Sequence, residues 1–458
     1  MSTERASKQR RRRSRISDER AKAGDLLCYM DQGSFLALRA LGRQPMGLIT
    51  WVYPHAVDEA AVDAVSRRLA EGLLGRLLQR SPLPWGRHRW VANPVPPPVT
   101  WNRTPIPVDA LQTWRSSLVD LPVDPEHGPG CRFAVQALAD GGTAVSFFVS
   151  HTIADGHAGL LAVADAIAGR PFSHRFPPPS RRGSLSRLAR DAAESIRSLP
   201  EAGRALAAFL ARPRQQAPAA VNGLPLAQPG AAAPGGPAVE VPVVQIVLDA
   251  AACEARGVKI GILLMALATR IAVRMGRVDA QGRVKLVLPV SERQPGDLRG
   301  NAVLAVTVLA DPERTLADPR TLQRELRSAQ ANLLRHGHEL TPLLPLIPYV
   351  PVRLMRRMEQ VALGADLPVG CSFFGDLPPE LGSPWGEPSM ICISPIERFD
   401  EAALTARGGQ LFLEGYSLGG RMYATVSGHA PGRVTTRADL LPVVCEALAE
   451  LGMTGTAS

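Results

Sequence analysis

The chain has 458 residues, of which 45% are hydrophobic and 21% charged, close to the average of globular proteins. This length exceeds what one core usually supports, so we expect two domains or two large lobes. The net charge of +10 is concentrated at the N-terminus, and the sequence contains no run of about 18 or more apolar residues that would span a bilayer.

The N-terminal segment is basic. Residues 1–22 contain nine lysines and arginines against three acidic residues, which accounts for more than half of the net charge. We interpret residues 1–24 as a disordered tail that is either solvated or in contact with an anionic partner. It has no aromatic side chain to stack on bases, so we predict no specific nucleic-acid partner.

The first predicted elements follow this tail. Residues 26–41 and 58–78 have helical spacing of apolar side chains, and residues 47–52 have the pattern of a strand. The apolar runs 131–138 and 143–149 are separated by Asp140-Gly141-Gly142, which predicts a hairpin. Because residues 156–168 are predicted to be a helix, His151 lies where a strand gives way to a helix.

The middle of the chain is predicted to be a crossover linker, residues 176–240, rich in Pro, Gly and Ala. It encloses an amphipathic helix with one apolar face, made of Leu185, Leu188, Ala192, Ile196 and Leu199. Packing of this face across the two lobes is the simpler interpretation, and peripheral contact with a membrane is the other.

The second half alternates strands and helices again. The sequence predicts strands at 243–248, 284–290, 302–308, 389–393, 411–415 and 421–426, and helices at 260–275, 322–334 and 440–451. Prolines recur every third residue from Pro342 to Pro351, which predicts an extended, polyproline-like loop, buried between lobes or next to lipid. We therefore predict two α/β lobes, residues 25–175 and 241–458.

The six cysteines are scattered, with no Cys-x-x-Cys pair. This spacing is typical of reduced, mostly buried thiols in a cytoplasmic protein rather than of a disulfide framework or a zinc site. His336 and His338 lie two residues apart but have no cysteine nearby, so we predict no metal site.

The segment Ser150-His151-Thr152-Ile153-Ala154-Asp155-Gly156 is the strongest chemical candidate. Acyl transfer from a thioester needs a base that removes the proton of a hydroxyl or amine acceptor, and histidine titrates in the right range. An Asp can anchor the backbone around that base, and a following Gly permits close approach. Taken alone the motif is short, and a purely structural histidine is the competing interpretation.

This segment resembles the His-His-x-x-x-Asp-Gly signature of the CoA-dependent acyltransferase superfamily, which includes chloramphenicol acetyltransferase and peptide-synthetase condensation domains. Over residues 25–455 the chain most resembles the bacterial wax ester synthase/diacylglycerol acyltransferase group. The similar segments are residues 29–36, Leu288-Pro289-Val290-Ser291-Glu292-Arg293 and Gly300-Asn301. The resemblance implies two chloramphenicol-acetyltransferase-like α/β lobes with an active-site channel at their junction.

The resemblance also implies roles for individual residues. His151 would be the general base, and Asp155 a structural carboxylate paired with Arg293 across the lobe junction. Gly156 would be the glycine of close approach. Ser372 and Asn301 would line the channel or help to stabilise the oxyanion.

The implied reaction moves an acyl group from a CoA or carrier-protein thioester to a small-molecule or lipid acceptor, such as diacylglycerol or a long-chain alcohol. Acyl-CoA would be a co-substrate, and no resident cofactor is expected. The chain departs from the group at Ser150, which replaces the first His, at residues 128–131 and at residues 259–261. These departures bear on the product rather than on the chemical step.

Two other functions compete with this one. Gly415-Tyr416-Ser417-Leu418-Gly419 matches the Gly-x-Ser-x-Gly elbow of serine hydrolases, although a β-like run follows it where the elbow needs a helix. The third interpretation is a non-catalytic pair of lobes that binds acyl groups or serves as a membrane-associated scaffold.

Overall fold

A computed structural model describes residues 24–180, 184–211, 238–249, 257–336, 341–354 and 367–458. The first half contains α1 (Tyr29–Leu41), β1 (Met46–Tyr53), α2 (Glu59–Glu71), β2 (Arg76–Gln79), β3 (Arg89–Ala92), β4 (Val99–Ile106), α3 (Leu111–Ser117), β5 (Cys131–Leu138), β6 (Thr143–Ser150), α4 (Gly156–Ala168) and α5 (Leu185–Leu210).

The second half contains β7 (Val243–Leu248), α6 (Ile260–Arg274), β8 (Val284–Ser291), β9 (Val303–Ala310), α7 (Pro312–Ala317), α8 (Arg320–His336), β10 (Val369–Asp376), β11 (Met390–Ile396), α9 (Glu401–Ala406), β12 (Gln410–Leu418), β13 (Arg421–His429), α10 (Arg437–Glu450) and β14 (Gly455–Ala457). The element types follow the sequence pattern closely. The predicted helix 58–78 is one exception: it ends at Glu71, and Leu77 lies in β2.

The first lobe is built on a five-stranded sheet in the order β11-β1-β6-β5-β4. Its core packs between one face of this sheet and helices α2 and α4, with Trp51, Phe147 and Val163 fully or almost fully buried. Asp140 shapes the β5–β6 hairpin by accepting a hydrogen bond from Gly142 N, and Gly141 takes a φ of 86°. This hairpin fixes the strand that delivers His151.

The second lobe is built on a seven-stranded sheet in the order β14-β7-β13-β12-β10-β8-β9. Helix α6 is apolar on almost every side and is buried against this sheet, together with α10. A helix that is hydrophobic all round requires cover on all sides, which the sheet and its neighbouring helices supply. The expectation of two mixed α/β lobes is confirmed.

One strand crosses between the lobes. Strand β11 comes from the second half of the chain but pairs antiparallel with β1, with Met46 opposite Ile396. The predicted start of the second lobe at residue 241 therefore does not separate the two sheets, because the edge strand of the first sheet, β11, comes after that residue.

Helix α5 corrects one expectation. The apolar face predicted to pack across the lobes points to solvent: Leu185, Ile196 and Leu199 are all more than half exposed. The buried side is polar, with Asp191 2% exposed and Glu194 9% exposed. Side-chain partners in the first lobe determine this orientation: Asp191 accepts hydrogen bonds from Arg89 Nε and Ser81 Oγ, both at 2.9 Å.

The proline-rich segment also differs from its prediction. Residues Thr341–Tyr349 form a 3₁₀ helix that packs against α1 and α5, rather than an extended loop. A 3₁₀ helix repeats every three residues and its φ suits proline, so prolines at a spacing of three fit it without a clash.

Other expectations concern charge and cysteine. The predicted tail, residues 1–24, lies outside the described residues except for Gly24, and Cys253 lies outside them as well. Cys28, Cys131, Cys371 and Cys392 are buried, whereas Cys445 is exposed. In the described ranges, no helix is both long enough and apolar enough to cross a membrane.

Candidate active site at the lobe junction

His151 directly follows β6 and begins a tight turn. The carbonyl of Ser150 accepts hydrogen bonds from Ile153 N (2.9 Å) and Ala154 N (3.2 Å), and His151 N donates to Pro45 O. Ser150 Oγ accepts from Thr152 N and donates to Gln44 Oε1. The serine that replaces the first His of the signature therefore stabilises the turn.

The imidazole of His151 is left available. The residue is half-buried, and within the described part of the chain its ring makes no hydrogen bond. A ring nitrogen without a protein partner is able to exchange a proton with a bound molecule. Hydrogen bonds fix the backbone of His151 instead, at its N–H through Pro45 and at its carbonyl through Asn301.

Asp155 is a structural carboxylate. It caps the N-terminus of α4, because its Oδ1 accepts a hydrogen bond from Ala158 N at 2.8 Å. Its Oδ2 accepts from Arg293 Nη2 at 2.8 Å and from Ala302 N at 2.9 Å. Both side chains of the ion pair are less than 10% exposed. The structure therefore brings Asp155 and Arg293 together across the lobe junction, as the resemblance implied.

Arg293 lies on the segment between β8 and β9, residues 292–302, which we call the tether loop. Besides Asp155, its guanidinium donates to three carbonyls of that same loop, those of Asp297, Arg299 and Gly300. One arginine therefore both shapes the tether loop of the second lobe and attaches it to the helix that follows His151.

Asp31 of α1 attaches the tether loop a second time. Its carboxylate accepts hydrogen bonds from Gly300 N (3.0 Å), Asn301 N (2.6 Å) and Asn301 Nδ2 (3.0 Å). Burial raises the pKa of Asp31, whereas Arg76 and these hydrogen bonds lower it. Sequence reasoning did not assign Asp31 to the site, although it lies in one of the segments that carry the resemblance.

Asn301 has a different role from the one expected. Its Nδ2 donates to Asp31 Oδ1 and, at 2.9 Å, to the backbone carbonyl of His151. The amide therefore positions the His151 backbone. These two contacts do not place it in an oxyanion hole or a channel wall, which was the expected role.

Arg76 is a second residue that the sequence analysis missed. It is fully buried, stacks on Trp90 with its guanidinium carbon 4.0 Å from the ring centroid, and donates to Ile153 O at 2.7 Å. It also donates to Leu298 O in the tether loop. Burial lowers the pKa of Arg76 to about 9. Nothing in the local sequence distinguishes this arginine from a surface one.

Gly156 meets the second lobe where close approach was expected. A Cβ at Gly156 would lie 2.8 Å from Cε1 of Phe374 in β10. Ser372 lies two residues earlier on the same strand, opposite Glu414 of β12. Strand β10 therefore reaches the helix that follows His151, although in the described residues Ser372 makes no hydrogen bond that would assign it to the oxyanion.

The serine-hydrolase alternative does not fit the fold. Ser417 lies near the end of β12 opposite Met422, and the turn at Gly419-Gly420 leads into strand β13 rather than a helix. His429 lies at the other end of the hairpin, opposite Gln410. The elbow geometry that exposes a nucleophile is therefore missing at Ser417.

The sequence analysis predicted no metal site at His336 and His338. Among the residues that the structure describes, no cluster of three or more His, Cys, Asp or Glu is arranged to hold a metal ion. His338 lies outside those residues.

Solved structures of low sequence identity share this fold. Polyketide synthase associated protein 5 from Mycobacterium tuberculosis is 15% identical with a TM-score of 0.51, covering 94% of this chain and 98% of that chain. The first condensation domain of the CDA synthetase is 15% identical with a TM-score of 0.53, covering 93% and 96%. TRI101 of F. sporotrichioides, complexed with coenzyme A and T-2, is 12% identical with a TM-score of 0.54, covering 94% and 99%.

Sequence comparison adds no closer relative, because neither a family profile nor a curated protein matches the chain. At identities of 12–15% the structural likeness concerns the fold. The chain therefore has the two-lobed α/β fold of condensation domains and of TRI101 over almost its whole length.

Proposed function

We propose that this protein is an acyltransferase in which His151 is the general base. The observation that carries the proposal is the His151 imidazole, which makes no hydrogen bond to any residue that the structure describes and is held at the lobe junction through its backbone. Asn301 fixes the carbonyl of His151, and the Asp155–Arg293 pair fixes the following helix. Two lobes that meet at one base suit a reaction in which two substrates meet.

The proposed step begins when the imidazole removes the proton of an acceptor hydroxyl or amine. The acceptor oxygen or nitrogen attacks the thioester carbonyl, the tetrahedral intermediate collapses, and the C–S bond breaks. The imidazolium then returns its proton to the leaving thiolate. The bond formed is an ester or amide, and the released product is a free thiol.

The donor and acceptor are proposed by class. We assign a CoA or carrier-protein thioester as donor, since one protein of this fold was solved with coenzyme A and another is a domain of a synthetase. As acceptor we propose a hydroxyl or amine compound, with lipids such as diacylglycerol or a long-chain alcohol as the first class to test. Acyl-CoA serves as co-substrate, and the step as written uses only side chains of this protein.

The test is release of free thiol from acyl-CoA in the presence of pooled alcohols and amines. His151→Ala should lower the rate by about 10²–10⁴-fold, the usual contribution of general base catalysis. His127→Ala is the matched control, since the His127 side chain is 64% exposed. A His151→Ala enzyme as fast as the control contradicts the proposal. Acyl-CoA binding without turnover across the screen would support the non-catalytic interpretation.

A further inference from the structure

Helix α5 presents an apolar surface to solvent. Seven of its side chains are between 41% and 81% exposed: Leu185, Leu188, Ile196, Leu199, Leu206, Phe209 and Leu210. Most of these recur at spacings of three, four and seven, so they share one side of the helix. Exposed apolar stripes of this length are uncommon on soluble proteins and mark sites of interaction.

The inward side of α5 is anchored by polar contacts. Asp191 binds Arg89 and Ser81, while Tyr29 Oη donates to Glu201 at 3.2 Å. Because these partners belong to the first lobe, the helix cannot roll its apolar side inward without burying or breaking charged contacts. The outward direction of the apolar stripe is therefore built into the fold.

Positive charge lies along the other flank of the exposed side of α5. Arg190, Arg197 and Arg204 are exposed and recur every seventh residue, so they form one row along the helix. The acidic residues of α5, by contrast, lie on its inward side or are bonded there, as for Asp191, Glu194 and Glu201.

Two further parts of the chain add to this surface. Arg190 is 3.6 Å from Asp25, so the described chain begins next to α5. The 3₁₀ segment Thr341–Tyr349 packs on α5, and its exposed end presents Tyr349, Val352 and Leu354 beside Arg353. Exposed apolar side chains and arginines therefore occur both on α5 and at the end of the segment that packs on it.

We propose that this surface, formed by the outward side of α5 and the end of the 3₁₀ segment, docks on the anionic face of a lipid bilayer. A helix that exposes an apolar row on one flank and an arginine row on the other can lie in the headgroup region, with its apolar row toward the acyl chains and its arginines among the headgroups. This inference goes beyond the proposed function and does not depend on it.

The experiment is co-sedimentation of the full-length protein with vesicles of phosphatidylcholine alone, or of equal parts phosphatidylcholine and phosphatidylglycerol. Wild-type protein should sediment with the mixed vesicles, and added salt should lower the bound fraction. Ile196→Glu/Leu199→Glu should weaken binding about tenfold or more, because two apolar side chains that would enter the bilayer are replaced by charged ones. Arg197→Glu/Arg204→Glu should reduce binding of mixed vesicles toward that of phosphatidylcholine alone.

The matched control is Val95→Glu/Val108→Glu, which introduces the same two charges at exposed valines outside α5. It should bind vesicles as the wild type does. Thiol release with a water-soluble acceptor should be equal in all of these variants, which separates this inference from the proposed function.

Three outcomes would overturn the inference. The first is wild-type protein that sediments with neither vesicle. The second is an Ile196→Glu/Leu199→Glu variant that binds as the wild type does. The third is an Ile196→Glu/Leu199→Glu variant that unfolds at a lower urea concentration than the wild type, because the stripe would then be covered by this chain. A change from dimer to monomer in sedimentation velocity would likewise show that a second copy covers the stripe.

Discussion

Glu414 is a carboxyl group in an unusual setting. It lies in β12 between Ser372 of β10 and Thr425 of β13, and its Oε2 atom is inaccessible without a hydrogen-bond partner among the described residues. Burial raises the pKa of Glu414 to about 8. The folded protein therefore keeps this proton at a pH where the unfolded chain has lost it.

The sign of the pH dependence follows from that difference. Between the ordinary pKa of a glutamate, about 4.3, and about 8, the folded state binds one proton more than the unfolded state at this position. Stability should therefore fall as pH rises through this window. The slope from this group is at most about 1.4 kcal/mol per pH unit.

Glu414→Gln should remove this contribution because glutamine stays neutral. The free energy of unfolding of the variant minus that of the wild type should increase steadily from pH 5 to pH 8. Urea denaturation at several pH values measures it, with the exposed Glu71→Gln as a control. A difference that stays constant with pH would show that Glu414 is ionised in the folded state.

The sequence identified some of the site residues and missed others. His151, Asp155, Gly156 and Arg293 were identified because their motif segments resemble a known signature, and the structure places Arg293 on Asp155. Arg76 carries no such signal: its partners Ile153 and Leu298 lie 77 and 222 residues away. Contacts of that kind exist only once the chain has folded.

At the scale of elements, the tether loop is the part on which the site geometry depends. It carries Arg293 and Asn301, and Asp31 binds it through three N–H groups. The loop is therefore the contact by which the second lobe positions both the His151 carbonyl and Asp155.

Asp31→Ala should detach one side of this loop. It leaves buried N–H donors without an acceptor and removes the carboxyl group that most favours the charged form of the buried Arg76, so the free energy of unfolding should drop by about 3 kcal/mol or more. Thiol release should fall with it, because His151 loses the support of Asn301. Asp109→Ala, at an exposed aspartate, should change neither quantity. Wild-type activity in Asp31→Ala would show that the tether loop does not position the base.

Helix α5 shows the limit of pattern reasoning for an element. Periodicity correctly predicted which residues share a face, but the face that meets the protein turned out to be the polar one. Asp191 and Glu201 are held by Arg89 and Tyr29, which are 102 and 172 residues away in the chain. A hydrophobic pattern gives the faces of a helix, whereas long-range polar partners decide their direction.

For the whole molecule, the sequence predicted two α/β lobes but not how they are joined. The strand predicted at 389–393 is present as β11, yet its partner β1 lies in the other half of the chain. Strand type depends on local side chains, whereas pairing depends on which edge is open once both sheets exist. The crossing strand therefore could not be assigned to a sheet from its own residues.

The pairing of β11 with β1 predicts how the molecule unfolds. Removing the second lobe would take β11 from the edge of the first sheet and the tether loop from His151, so neither lobe keeps its native contacts when the other opens. We expect one cooperative transition rather than two. Hydrogen exchange in increasing urea should give the same opening free energy for amides of β6 in the first sheet and β13 in the second. If β13 stays protected after β6 has exchanged, or the reverse, the lobes are independent folding units and the crossing strand does not couple them.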